Sequence, residues 1–151
     1  MNSFLVKTLS ATFILSLSSL ANAINTLNTG ESLNLGQSLS SNNGCFKLIM
    51  QNDGNLVLYR NSDNIAAWAT NTSRTSTNIA TMQTDGNFVT YKPFKIPTWA
   101  SQTSGKSNSK LVLQDDGNLV IYQNSTSPIW ASNTTMDCYT KPTPPPPSPI
   151  P

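Results

Sequence analysis

One nine-residue motif occurs three times in this chain, and no other feature constrains the fold as strongly. Gln51 to Tyr59 reads Q-N-D-G-N-L-V-L-Y, Gln83 to Tyr91 reads Q-T-D-G-N-F-V-T-Y, and Gln114 to Tyr122 reads Q-D-D-G-N-L-V-I-Y. The copies start 32 and 31 residues apart. A second marker keeps step with the first: Trp68-Ala-Thr-Asn-Thr, Trp99-Ala-Ser-Gln-Thr and Trp130-Ala-Ser-Asn-Thr follow their glutamines by 17, 16 and 16 residues. Self-similarity at a fixed period signals one supersecondary unit used repeatedly, each copy burying its apolar face against its neighbours. The units fall around residues 45–76, 77–107 and 108–138.

Each unit reads as short strands joined by tight turns. Phe46, Leu48 and Met50 alternate with Lys47, Ile49 and Gln51, the period of a half-buried strand. Asp53-Gly54 turns the chain, with glycine free to take φ > 0, and Asn55 to Tyr59 returns it. Asn61 to Asn64 turns it again into the strand carrying Trp68. With no helical periodicity after the first segment, the expectation is an all-β fold. A three-stranded sheet alone buries too little to be stable, so the units need a common axis. Leu56 and Leu58, Phe88, and Leu119 and Ile121 are then predicted to share a core with the three tryptophans. Each large side chain so buried adds roughly 1.5–3 kcal/mol. Unit two contributes least, having Thr90 in place of Leu58 and Ile121, and Ala80 in place of Leu48.

The two cysteines suit closure of such an array. Cys45 opens unit one, and Cys138 stands eight residues after Trp130, where a fourth unit would begin. In a closed three-fold ring those places are neighbours, and a disulfide between them would fasten it. An inter-chain bridge in an exchanged dimer and a pair of free thiols are the alternatives.

Both ends of the chain differ from the middle. Residues 1–23 read as a secretory signal peptide: Lys7, then an apolar run through Phe13, Ile14, Leu15, Leu17 and Leu20, then Ala21-Asn22-Ala23 at the cleavage point. The run is too short and serine-rich to span ~30 Å of hydrocarbon, so no membrane span is expected. Residues 141–151 hold seven of the ten prolines. Proline fixes φ and removes backbone donors, so this tail should be extended and disordered, a stiff spacer or a ligand for an aromatic groove. The formal charge of +2 is too weak for a phosphate-binding footprint, and no nucleic-acid partner is expected. The absence of histidine excludes most hydrolytic triads and most zinc sites.

The face opposite the core carries the chemistry. Asn55, Val57 and Tyr59 alternate with the inward leucines, Gln51 ends the preceding strand on the same face, and Asp53 occupies the turn. Hydroxyl-rich ligands both donate and accept, which calls for a carboxylate, amides and a phenol, with an apolar contact from Val57 for the C–H face of a ring. Hairpin chemistry alone accounts for Asp53, Gly54 and Asn55, but not for outward glutamine and tyrosine in every copy.

These residues resemble the Gln-x-Asp-x-Asn-x-Val-x-Tyr signature of the bulb-type (monocot, snowdrop-like) mannose-binding lectins. All five positions match in each copy: Gln51, Asp53, Asn55, Val57 and Tyr59; Gln83, Asp85, Asn87, Val89 and Tyr91; Gln114, Asp116, Asn118, Val120 and Tyr122. The likeness runs from about residue 24 to 138, and Gly30-Glu-Ser-Leu and Gly36-Gln-Ser-Leu are similar to the family's first strand. It implies a lectin domain over 24–140 with the β-prism II fold, three four-stranded antiparallel sheets in a pseudo-three-fold arrangement. It further implies up to three α-mannose sites without metal or cofactor, and mannose-containing glycans or glycoproteins as partners. In that scheme Asp and Asn hold the axial 2-hydroxyl, Gln the 3-hydroxyl and Tyr the 4-hydroxyl, while Val packs on the ring. Family members commonly carry a cysteine where Gly54 stands. They also often exchange a C-terminal strand in a homodimer, which a bridge from Cys45 to Cys138 within one chain would put in question.

Other functions fit less well. Glycoside hydrolysis needs two carboxyl groups within ~5–10 Å, whereas each motif has one and Glu31 is the only glutamate; no enzyme is expected. Asp115 to Asn118 lacks the distal bidentate glutamate of a calcium loop. The serious rival is a scaffold with sugar-silent pockets acting through protein contacts. Asn71, Asn124 and Asn133 head N-x-S/T sequons and are glycosylation candidates.

Overall fold

The computed structural model describes residues 24–139. The expected signal peptide (1–23) and proline-rich tail (141–151) lie outside the described residues.

Twelve strands make up three antiparallel sheets. Each repeat supplies a three-stranded meander: β4 (Phe46–Met50), β5 (Leu56–Arg60) and β6 (Ile65–Ala69); β7 (Ile79–Met82), β8 (Phe88–Lys92) and β9 (Ile96–Ala100); β10 (Ser109–Leu113), β11 (Leu119–Gln123) and β12 (Ser127–Ala131). The fourth strand of every sheet comes from the segment before the repeats. β1 (Thr26–Leu27) pairs with β10, β2 (Ser32–Asn34) with β7, and β3 (Ser38–Ser40) with β4. The family-like pieces at Gly30 and Gly36 are therefore not one first strand but the entries to two strands of different sheets.

A six-residue repeat explains how so short a segment reaches all three sheets. Leu27-Asn28-Thr29-Gly30-Glu31-Ser32 is followed by Leu33-Asn34-Leu35-Gly36-Gln37-Ser38, then Leu39. The Glu31 and Gln37 side chains accept from the Asn28 and Asn34 backbone N–H groups at 2.6 and 2.8 Å. Gly30 and Gly36, both with φ near +80°, donate to the carbonyls of Met82 and Met50 at 2.7 Å. Each hexad thus turns the chain onto the next sheet and drives one leucine inward; Leu27, Leu33 and Leu39 are all buried.

The core lies on the common axis. Phe46, Leu48, Met50, Leu56 and Leu58 meet Met82 and Phe88 from the second sheet, and Leu111, Leu113, Leu119 and Ile121 from the third. The tryptophans are half-buried rather than central. Trp68, Trp99 and Trp130 pack edge-to-face around the axis with centroids 5.3–5.8 Å apart. Edge-to-face pairs of this kind add about 0.5–1.5 kcal/mol beyond burial.

Unit two makes good its smaller apolar contribution with hydroxyls. Thr90 is fully buried, and its Oγ1 lies 2.9 Å from that of Thr98, which Thr77 Oγ1 approaches at 2.8 Å. No buried side-chain nitrogen or oxygen among the described residues lacks a partner.

Closure is contiguous from unit to unit. Asn43 donates through its backbone N–H to Asp115 Oδ1 at 2.9 Å and through Nδ2 to the Asp115 carbonyl at 2.8 Å. Arg60 pairs with Asp63 at 2.6 Å and reaches the Asp137 carbonyl at 3.2 Å. Cys45 and Cys138 form a disulfide within the chain, with Cα atoms 5.2 Å apart and a sequence separation of 93. By the loop-entropy model a span of that length stabilises by about 4–5 kcal/mol. Replacing both cysteines by serine should leave the fold in place but lower the denaturant midpoint, with a loss of about 2–5 kcal/mol in chemical unfolding.

Candidate functional site

The three motifs occupy equivalent places on the outer faces of the three sheets. In each, glutamine follows the second strand, aspartate and glycine form the turn, and asparagine leads into the third strand, where valine and tyrosine lie. The ladder between the third and fourth strands shifts register just before the tyrosine, between Leu58 and Tyr59, Thr90 and Tyr91, and Ile121 and Tyr122. A bulge at one point re-aims the side chain beside it. All three tyrosines are consequently set alike, each accepting a hydrogen bond from its glutamine Nε2: Gln51 to Tyr59 at 2.9 Å, Gln114 to Tyr122 at 2.7 Å, and Gln83 to Tyr91.

The asparagines are held by residues that the sequence reading used only as a register marker. Backbone N–H of Leu56 donates to Thr70 Oγ1 (3.2 Å), which lies 2.7 Å from Thr72 Oγ1, which donates to the Gly54 carbonyl (2.7 Å). The second unit repeats this through Phe88, Ser101, Thr103 and Gly86, and the third through Leu119, Ser132, Thr134 and Gly117. Each hydroxyl has one proton, so the chain of bonds runs in one direction. Asn55 Oδ1 accepts the Thr72 N–H at 3.1 Å, Asn87 Oδ1 that of Thr103 at 3.1 Å, and Asn118 Oδ1 that of Thr134 at 3.4 Å. The residue between the two hydroxyls is left-handed each time, with φ of 57°, 61° and 56° at Asn71, Gln102 and Asn133. The in-step Thr/Ser-x-Thr after each Trp-Ala was the available signal for this role.

Each aspartate spends Oδ1 on its own turn, accepting the N–H of the asparagine two residues on at 2.9–3.0 Å. Asp53 and Asp116 make no other side-chain hydrogen bond among the described residues, but Asp85 Oδ2 accepts from Ser104 Oγ at 2.6 Å. That bond, helped by the Asn87 N–H, holds the Asp85 carboxyl below the usual carboxylate range. The valines form a floor rather than a wall: Val57, Val89 and Val120 are each only 3% exposed. They lie between Ile49 and Ala69, Thr81 and Ala100, and Val112 and Ala131. Asp115 sits in the turn, bound to Asn43 and apart from the motif face.

Each site therefore offers a tyrosine O–H, an asparagine NH₂, a glutamine carbonyl and, in the first and third, an aspartate Oδ2. Two donors and two acceptors over an apolar floor match a ligand whose hydroxyls act in both senses. A hollow of about 310 Å³ beside the first motif is lined by Lys47, Ile49, Gln51, Tyr59 and Asn64. One of about 380 Å³ beside the second includes Ile79, Thr81, Gln83, Tyr91 and Phe94. The aspartate and asparagine of these motifs do not line them. No set of three His, Cys, Asp or Glu among the described residues could hold a metal ion.

No family model matches the chain. Solved structures do. A monomeric monocot mannose-binding lectin from Gastrodia elata is 46% identical, with 74% of this chain and 99% of that one aligned at a TM-score of 0.68. The chain belongs to the monocot mannose-binding lectin family. Among other members of this bulb-type family, the mannose-specific agglutinin of snowdrop (Galanthus nivalis), solved with methyl-α-D-mannoside, is 43% identical over 75% of this chain and 99% of its own, with a TM-score of 0.60. A curated mannose-specific lectin from the same plant is 50% identical over 70 residues, 46% of this chain and 42% of the relative. The chain spans less than half the length of that relative and of a Dendrobium findlayanum lectin, of which it covers 47%.

Two variants probe the scaffold. Ser132→Ala removes the acceptor of the Leu119 N–H and should cost about 1–3 kcal/mol in chemical unfolding. Ser104→Ala should raise the Asp85 carboxyl midpoint toward its ordinary value in a carboxyl-carbon NMR titration. Because folding lowers that midpoint, the stabilisation it reflects is present above the unfolded value of ~3.9 and disappears as pH falls through the folded one.

Proposed function

We propose that this chain is a secreted lectin that binds α-D-mannose and high-mannose glycans through up to three Gln-x-Asp-x-Asn-x-Val-x-Tyr pockets and acts by multivalent binding. One observation carries the reading: the same tyrosine, glutamine and asparagine, the last held beside the same hydroxyl chain, recur on all three sheets. Its identity with the snowdrop agglutinin, which was solved with a mannoside bound, supports the choice of sugar. In this reading the aspartate and asparagine face the axial 2-hydroxyl. A sugar lacking that group leaves them unpaired, which is the larger part of discrimination at a polar site.

A small exposed pocket should bind one sugar weakly, at ~1 mM. Several pockets on a rigid body that engage a branched or polymeric glycan gain ~10²–10⁴ in avidity without new contacts. The pattern of residues 1–23 and the disulfide both suit an exported protein. Residues 24–140 would form the lectin domain, with 141–151 as an extended spacer. The bridge lies within the chain and β1 completes the third sheet, so binding would need no exchanged strand; a homodimer would add valency.

Retention on mannan-agarose, reversed by free mannose, is the expected result; passage straight through would favour a sugar-silent scaffold. Tyr→Phe at Tyr59, Tyr91 and Tyr122 together should weaken each pocket about three- to tenfold, the worth of one hydrogen bond. Undiminished retention by that folded variant would refute the phenol's part.

A further inference from the structure

We propose that the second motif is an extended site in which Phe94 carries the next ring of an oligomannoside beyond the hexose held by the motif itself. The inference rests on the sugar-binding reading above and concerns one residue that reading leaves unused. Phe94 is 95% exposed, the most exposed of the large apolar side chains in the described residues. It occupies the short turn Pro93–Lys95 between β8 and β9, and its own φ is +65°. A bulky residue in left-handed backbone costs energy, as does an aromatic ring in water. Neither cost is offset by any packing of that ring against the core.

Its position supplies the reason. Phe94 lines the same hollow as Gln83 and Tyr91, the polar end of the second motif. In the first unit the corresponding turn contributes Asn64 to the hollow of Gln51 and Tyr59. Across the ladder the difference continues: Tyr59 and Tyr122 face Lys47 and Lys110, whereas Tyr91 faces Ile79. The second hollow thus has an aliphatic and an aromatic side chain at the two places where the first has a cation and an amide, with Asn34, Asn78, Lys92 and Lys95 among its other lining residues. It is also larger, at about 380 Å³ against 310 Å³, within the ~300–1,000 Å³ range of small-ligand pockets. Polar groups at one end and an apolar platform at the other suit a hexose whose hydroxyls meet Gln83 and Tyr91, linked to a second whose C–H face lies on the Phe94 ring.

The test is an amide-resolved NMR titration of the full chain with methyl α-mannoside and with methyl α-mannobiosides of several linkages. Gly54, Gly86 and Gly117 report the three motifs separately. At the second motif one mannobioside should bind about fivefold more tightly than the monosaccharide, with no such preference at the other two. Phe94→Ala should abolish the preference while leaving monosaccharide affinity there unchanged, and Phe94→Trp should retain it. Monosaccharide binding with no mannobioside preference at the second motif, or a preference that survives Phe94→Ala, overturns this proposal alone. No saccharide response at any motif overturns it together with the reading beneath it. A concentration-dependent change in sedimentation that Phe94→Ala removes, without a change in sugar preference, would make the ring a contact between copies and overturn it as well.

Discussion

Three separate meanders close into one body where the turn of each unit presses against the start of the next or the segment leading into it, and glycine makes that approach possible. A Cβ on Gly86 would stand 1.8 Å from the Lys106 carbonyl oxygen, one on Gly54 2.9 Å from that of Thr77, and one on Gly117 2.8 Å from the Phe46 ring. The third of these contacts joins the last unit to the first, and Asn43 and the disulfide add to it at the same seam. All three glycines have φ between 82° and 90°, so a side chain there would be excluded twice, by backbone conformation and by lack of space. The carbonyls of these glycines also terminate the hydroxyl chains that hold the asparagines. Ring closure and site geometry consequently share the same residues. A change that loosened a turn would disturb both.

Unit two shows how a repeat can diverge without breaking the ring. Position 98 is the residue passed over at the register shift, equivalent to Ala67 and Ile129, which pack against the core in the other units. Thr98 and the buried Thr90 differ as a pair from their equivalents in the other two units. The Thr90 hydroxyl alone, facing an apolar residue, would be a desolvated polar group without a partner, at a cost of about 1–3 kcal/mol, whereas Thr98 also donates to the Thr90 carbonyl and accepts from Thr77. Together they satisfy one another and connect through Thr77 to Thr75 and the Thr72 carbonyl. The unit with the least apolar inner face is also the one whose outer hollow is more apolar than that of the first unit.

Much of this was legible in the residues. Period-2 alternation around Leu48 and Leu58, the Asp-Gly turns and the repeat spacing specify the three meanders, because each is a local signal. Closure made the intra-chain pairing of Cys45 and Cys138 one of three readings of the cysteines, and the fold selects it by bringing their Cα atoms to 5.2 Å. The N-terminal hexads were harder: a two- or three-residue strand has no periodicity to detect, and its partner lies up to 86 residues away. Only the spacing of Leu27, Leu33 and Leu39 betrays them. At the site, the alternation put Val57 on the outer face correctly but could not say that Ile49, Ala69 and their neighbours would cover it. Likewise, Thr70 and Thr72 sit one strand away from Asn55, and their role depends on a left-handed residue between them that composition does not disclose.

The arrangement of the sheets has a consequence for valency. Their inner faces meet on one axis, so their outer faces point away from one another, and the three motifs borne on them diverge. A rigid body of this kind cannot bring two such pockets to bear on neighbouring rings of one short oligosaccharide. Avidity would then have to come from long or branched glycans that wrap the prism, or from separate chains bridged by it, where the effective concentration of the second ligand is set by the glycan's reach and not by any motion of the protein. For a short ligand the remaining route to higher affinity lies within a single sheet, by extending one pocket along its own turn. The turn between the last two strands of each unit is the element free to do so: in the first two units it adjoins the hollow, it carries no core residue at its tip, and it differs in sequence among the three units.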